Sequence, residues 1–198
     1  MSSNVPQKVL VPLDGSELAE VAVGYAEQIA KSLGWGVVLF SVVHVETEHH
    51  FYQPDTPVIE APREVWDRWA GQLGAEADEL HTEMSAALDI MAAAADRLRA
   101  AGLHVEREAG AGKTRDVIVR RAETDDIALV VMASHGRTGL ARLVRGSVAT
   151  GVVDHSNRAV LVVRPFRDPD HRLDLEHADR LPPEQAEAVR RAIGASAG

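Results

Sequence analysis

Apolar positions along the chain change period several times, and each change marks an element. Lys8 to Leu13, "KVLVPL", is an apolar, largely aliphatic run that ends on Asp14-Gly15-Ser16. A short apolar run closed by turn residues reads as a buried strand. Behind it Leu18, Val21, Ala22, Tyr25, Ile29 and Leu33 recur at helical spacing, which lines one stripe of a helix with apolar side chains. Ser16 is the expected N-cap and Gly34 the expected C-terminal stop. Gly36 to Val45, "GVVLFSVVHV", returns to a strand. Strand, helix and strand form a βαβ unit, which implies parallel strands joined by a right-handed crossover.

The pattern then breaks into a polar, proline-containing stretch over about residues 46–62, read as an inserted loop. From Arg63 to about Ala101 it is helical again. Trp66, Trp69, Leu73, Ala77, Leu80, Met84, Ala87, Met91, Ala94 and Leu98 alternate three and four apart, the spacing of a seam that packs on a neighbour. One straight helix of that length would span about 58 Å, whereas a six-residue strand covers about 20 Å. The helix is therefore expected to break near Gly71 and Gly74, or to project beyond the sheet.

The second half repeats the alternation. Leu103 to Ala109 reads as a strand, Arg115 to Thr124 as a short helix, and Ile127 to Met132 as a buried strand. Leu143 to about His155 reads as a helix and Ala159 to Val163 as the last strand. Five strands alternating with four helices predict an α/β fold: a five-stranded parallel, doubly wound sheet with helices on both faces, in one domain over 1–165. Residues 166–198 turn polar and read as a loosely attached tail, with a short helix over about Pro183 to Ile193.

Composition narrows the functions this fold could host. The chain has 198 residues, 45% hydrophobic and 26% charged, with net charge −9. That charge argues against wholesale binding to nucleic acid or an anionic membrane. Zero cysteines exclude disulfides, thiol catalysis and thiolate metal sites. No apolar run approaches the roughly 18 residues of a membrane helix, and the N-terminal sequence does not read as a secretory signal. The expected setting is the cytosol.

Ligands of open parallel sheets sit beyond the carboxyl ends of the strands, where strand order reverses. Candidate strand ends are Pro12 to Ser16, Val43 to Val45, and Met132 to Gly136. The last opens "MASHGRTGLARLVRGSVA", with Gly136, Gly139 and Gly146 leading to a helix around Ser147. Amides at a helix N-terminus, preceded by glycine, suit phosphate, and the hydroxyls of Ser134 and Ser147 could assist. The same glycines could also simply turn the chain. Arg137, Arg142 and Arg145 either screen phosphate or solvate the outside of the turn.

Three other signals are weaker. "GAGKT" at Gly110 to Thr114 resembles the end of a P-loop, but the glycine required five residues before the Gly-Lys pair is Arg107. His44, His49 and His50 with Glu46 and Glu48 could ligate a divalent ion, although their spacing matches no established motif. Asp14, Ser16 and His135 suggest a hydrolase triad, but no nucleophile elbow is present.

"KVLVPLDGSELAE" and "MASHGRTGLARLVRGSVATGVVDHSNRAVLVVRP", with the βα order between them, resemble the universal stress protein family over about residues 6–165. That family's nucleotide signature is glycine, two residues, glycine, nine residues, then glycine with serine or threonine. Gly136, Arg137 to Arg145 and Gly146-Ser147 match it, while the first glycine is replaced by Ala133. The resemblance implies an ATP-binding protein, with or without Mg2+, acting as a homodimeric regulator or sensor. It implies that Asp14 contacts the adenosine and that Pro12, Val42 and Met132 line the pocket. Ala133, His135, Gly136, Gly146, Ser147 and Val148 would then surround the phosphates. It also implies pairing of two copies through Ala159 to Val163, and at most slow ATPase activity. Two alternatives stay open: a scaffold of the same fold that takes no nucleotide, and a slow nucleotide hydrolase.

Overall fold

A computed structural model describes residues 7–44, 76–133, 147–163 and 174–176. Strands β1 (Lys8–Pro12), β2 (Gly36–His44), β3 (Val105–Gly112), β4 (Ile127–Ala133) and β5 (Ala159–Val163) form a parallel sheet in the order 3-2-1-4-5. A short β6 (Asp174–Glu176) adds to the β5 edge antiparallel. Crossovers run through α1 (Glu17–Leu33), α2 (Glu76–Ile90) with α3 (Ala92–Ala100), α4 (Thr114–Ala122) and α5 (Ser147–His155). Among the described residues no helix is long and apolar enough to cross a membrane.

The strands are apolar on both faces because both faces are covered. Val9, Val11, Leu39, Leu129, Val131 and Leu161 pack with α1 and α3 on one side. Leu10, Val38, Phe40, Val130, Met132 and Val162 pack with α4 and α5 on the other. The caps expected for α1 are present: Ser16 Oγ accepts from the Ala19 N–H at 3.2 Å, and Gly34 closes the helix at φ 67°. Glycine suits that left-handed position because it has no Cβ to clash.

Two elements differ from the sequence reading. β3 begins at Val105 and continues through Gly112 rather than ending at Ala109. Gly110, Ala111 and Gly112 pair with Val42, Val43 and His44, so the glycines of the stretch that resembled a P-loop are strand, and Lys113 and Thr114 open α4. The long helix is interrupted at Met91, whose N–H donates to the Leu88 carbonyl at 3.2 Å, three residues back. The cause lies in what each half covers. Leu80, Met84 and Ala87 of α2 pack on Ala109 and Ala111. Met91, Ala94, Ala95 and Leu98 join the α1-side core. The apolar seam from Leu80 to Leu98 is therefore core packing. Residues 63–75, including Gly71 and Gly74, lie outside the described residues, as do 143–146 and the helix expected at 183–193. Within the polar tail, residues 174–176 form β6.

Charges tie the amino ends of β1 and β4 to β3. Arg121, only 2% exposed, donates through Nε and Nη2 to Glu108 at 2.6 and 2.9 Å. Its Nη1 and Nη2 reach Asp126 at 2.9 and 3.0 Å. Lys8 Nζ donates to Asp126 at 3.1 Å and to Glu106 at 2.8 Å. To reach β3, Lys8 passes over Gly36, its partner on β2; a Cβ there would lie 3.3 Å from Lys8 Cγ. Burial disfavours the charge on Asp126, but hydrogen bonds from Arg121 and Thr124 prevail and hold its pKa well below the usual carboxylate range. Glu106 is lowered too, with burial outweighed by Lys8 and His104.

A carboxylate whose folded pKa is depressed stabilises the fold fully above its unfolded pKa, and that contribution fades as pH falls through the folded value. Stability should therefore drop below about pH 4, the ordinary carboxylate range. Asp126→Asn should flatten that drop in denaturant titrations run between pH 7 and pH 2.5. An unchanged pH slope would remove Asp126 as its source.

Candidate functional site

The order 3-2-1-4-5 reverses direction between β1 and β4. Their crossovers leave on opposite faces, so a crevice opens past their carboxyl ends. Beyond β1, the Leu13 N–H donates to the Phe40 carbonyl at 2.8 Å, which holds the departing chain against β2. β2 and β3 stay paired as far as His44 and Gly112, while the last β1–β2 pair is Pro12 with Phe40. The two longer strands thus stand as a ledge beside the end of β1.

Side chains alternate faces along a strand. Pro12, Val42 and Met132 therefore share the α4–α5 face at the carboxyl ends of adjacent strands. Pro12 and Met132 each stand two residues past the paired Leu10 and Val130. Met132 is buried, while Pro12 and Val42 are half-buried. Val148, in the first turn of α5, packs on the same apolar cluster as Val42 and Met132. Ala133 ends β4 on the other face, packed against the α1-side core.

Asp14 is exposed at the turn between β1 and α1, where its Oδ1 accepts from the Ser16 N–H at 3.0 Å. Gly15 follows at φ 76°, and a Cβ there would lie 3.3 Å from Ile90 Cγ2. Glycine thus permits both the turn and the approach of Ile90, which remains 50% exposed beside it. Ile90 was not singled out by sequence because it falls off the seam through Ala87 and Met91. With Ser16 Oγ capping α1, the suggested triad has no free nucleophile in that residue.

Pro12, Val42 and Met132 thus share one face at the strand ends, Val148 packs on the same apolar cluster as Val42 and Met132, and Asp14 lies at the turn after β1. Ser147 is the first residue of α5. His135, Gly136 and Gly146 lie outside the described residues, as do Ser134, Arg137, Arg142 and Arg145. Of the suggested metal ligands, His44 is exposed at the end of β2, and His49, His50, Glu46 and Glu48 lie outside the described residues. Among the described residues there is no group of three or more potential metal-ligating side chains.

The profile of the Universal stress protein family matches residues 6–164. Universal stress protein MJ0531 of Methanocaldococcus jannaschii is 30% identical over 162 residues, which cover 81% of this chain and 84% of that protein. The solved structure of MJ0577, from the same organism, superposes with a TM-score of 0.60 at 25% identity, covering 83% of this chain and 99% of that one. A universal stress protein solved in complex with cAMP superposes at 0.51 with 23% identity, covering 80% and 97%, a likeness of fold.

Proposed function

The chain belongs to the universal stress protein family, and from that premise we propose that it is a cytosolic, homodimeric stress-response regulator. In this reading it binds ATP, with or without Mg2+, between the ends of β1 and β4. The observation that carries the reading is the reversal of strand order where the apolar ends of β1, β2 and β4 stand side by side, with Asp14 in the turn that leaves β1. The donor set suits an adenine nucleotide. Asp14 supplies an acceptor for ribose hydroxyls or the adenine amine, and Pro12, Val42 and Met132 supply apolar surface for the base. The stretch Gly136 to Ser147 carries the glycine spacing that brings backbone amides to phosphate. ATP would contribute a polyanionic tail whose charge those amides and the N-terminus of α5 recognise. The pairing strand in this reading is β5.

A second reading rests on Ala133, which takes the place of the first glycine of the signature. There the same fold serves as a scaffold without nucleotide. Titration calorimetry with ATP and adenosine separates the two. Gly146→Val should weaken ATP binding more than tenfold, a loss above about 1.4 kcal/mol, and spare adenosine, which has no phosphates. Asp14→Ala should weaken both ligands. If folded Gly146→Val binds ATP as tightly as the wild type, the phosphate cradle is wrong, and absence of wild-type binding favours the scaffold.

A further inference from the structure

The two ends of the sheet are finished differently. β3 carries Glu106, Arg107 and Glu108 along one edge strand. Charge is a common way of keeping an edge from pairing with another chain. β5 is "AVLVV", buried at every residue and without charge or proline. Left open, such a strand is a template for a second chain. It is not left open, because Asp174–Glu176 lies antiparallel along it. Val160 stands opposite Glu176, Leu161 opposite Leu175 and Val162 opposite Asp174.

One edge can pair with only one strand at a time. We propose that β6 is a removable cover that competes with a second copy of this chain for the β5 edge. The proposal rests on the pairing role given to β5 above and is independent of nucleotide binding. β6 is three residues long, against five in β5, so a second β5 would offer a longer, wholly apolar partner. Two acidic residues in the cover make its own outer edge a poor template in turn. The monomer is thereby closed at both ends of its sheet, and whatever withdraws β6 opens the path to the dimer.

The test uses the full chain. Leu175→Pro removes a backbone donor from β6 and disfavours its pairing, and it lies outside the five-stranded core. Sedimentation equilibrium should give a dimer association constant at least tenfold higher than the wild type. A lock comes from Val162→Cys with Asp174→Cys, an unambiguous pair in a chain without cysteine. Oxidation should abolish the dimer and reduction restore it, so the reduced form controls for folding. Equal constants for wild type and Leu175→Pro would overturn the competition. If the oxidised lock then still lost the dimer, β5 would remain the pairing strand without a competing cover. If the lock dimerised as before, the pairing role of β5 would fall too.

Discussion

Arg121→Ala should cost about 3–5 kcal/mol, the range for breaking a buried ion pair from one side. The guanidinium is held by four hydrogen bonds to Glu108 and Asp126. Glu108 is 0% exposed, so truncating Arg121 strands a carboxylate in the core with its principal cation gone. Against a typical total stability of about 5–15 kcal/mol, the loss would be plain in equilibrium denaturation. Arg121→Lys keeps the charge but loses the planar fork and should recover only part. Arg121→Met combined with Glu108→Leu removes both charges and should restore most of the stability. If the single Arg121→Ala variant lost under 1 kcal/mol, Glu108 must find water or another partner. The network runs from Asp126, just before β4, to Glu108 in the middle of β3, where it pairs with Phe40, so its loss should register first in stability.

Gly110→Val should destabilise by about 1–3 kcal/mol through overpacking. A Cβ at Gly110 would stand 2.6 Å from Val117 Cγ1 and 3.0 Å from Phe40 Cζ. Both neighbours are buried in the core between the sheet and α4, so neither can swing into solvent. The effect also separates the strand from the P-loop that "GAGKT" resembles. In a phosphate loop a side chain at that glycine would act first on ligand affinity. Here it should act first on the denaturation midpoint.

Most of the sheet was legible because its strands are buried on both faces and read as uninterrupted aliphatic runs. Ala159–Val163 matched at both ends and β4 to within one residue. The extension of β3 was hidden because Gly-Ala-Gly has the composition of a turn; it is strand because β2 pairs with it and Phe40 and Val117 fill the missing volume. Met91 carries no breaker signal, and the seam continues through it, so the interruption reflects packing rather than propensity. β6 has one apolar residue between two acids, too little to read as a strand, and the neighbouring β5 edge makes it one. Arg121 did leave a trace: it falls three residues after Ile118 and four after Val117, on the apolar stripe of α4. An arginine in that place needs a buried acid, and Glu108 supplies it. Pro12, Val42 and Met132 came from the family resemblance, and strand alternation explains only why they share a face, whereas Ile90 reaches Gly15 only through the tertiary path of α2.

Strand order also sets a timetable for the nascent chain. β1 is synthesised first, yet it sits at the centre of the sheet, and Lys8 must wait for Ile127 to complete its second side. At about 5–20 residues per second on the ribosome, that wait is on the order of ten seconds. Throughout it, β1 can pair with β2 but presents its other edge, "KVLVP", bare. The Lys8–Asp126 contact cannot form until the same moment. The decisive closure therefore waits for β4, and the half-made sheet is the species most exposed to chaperone capture or misassembly.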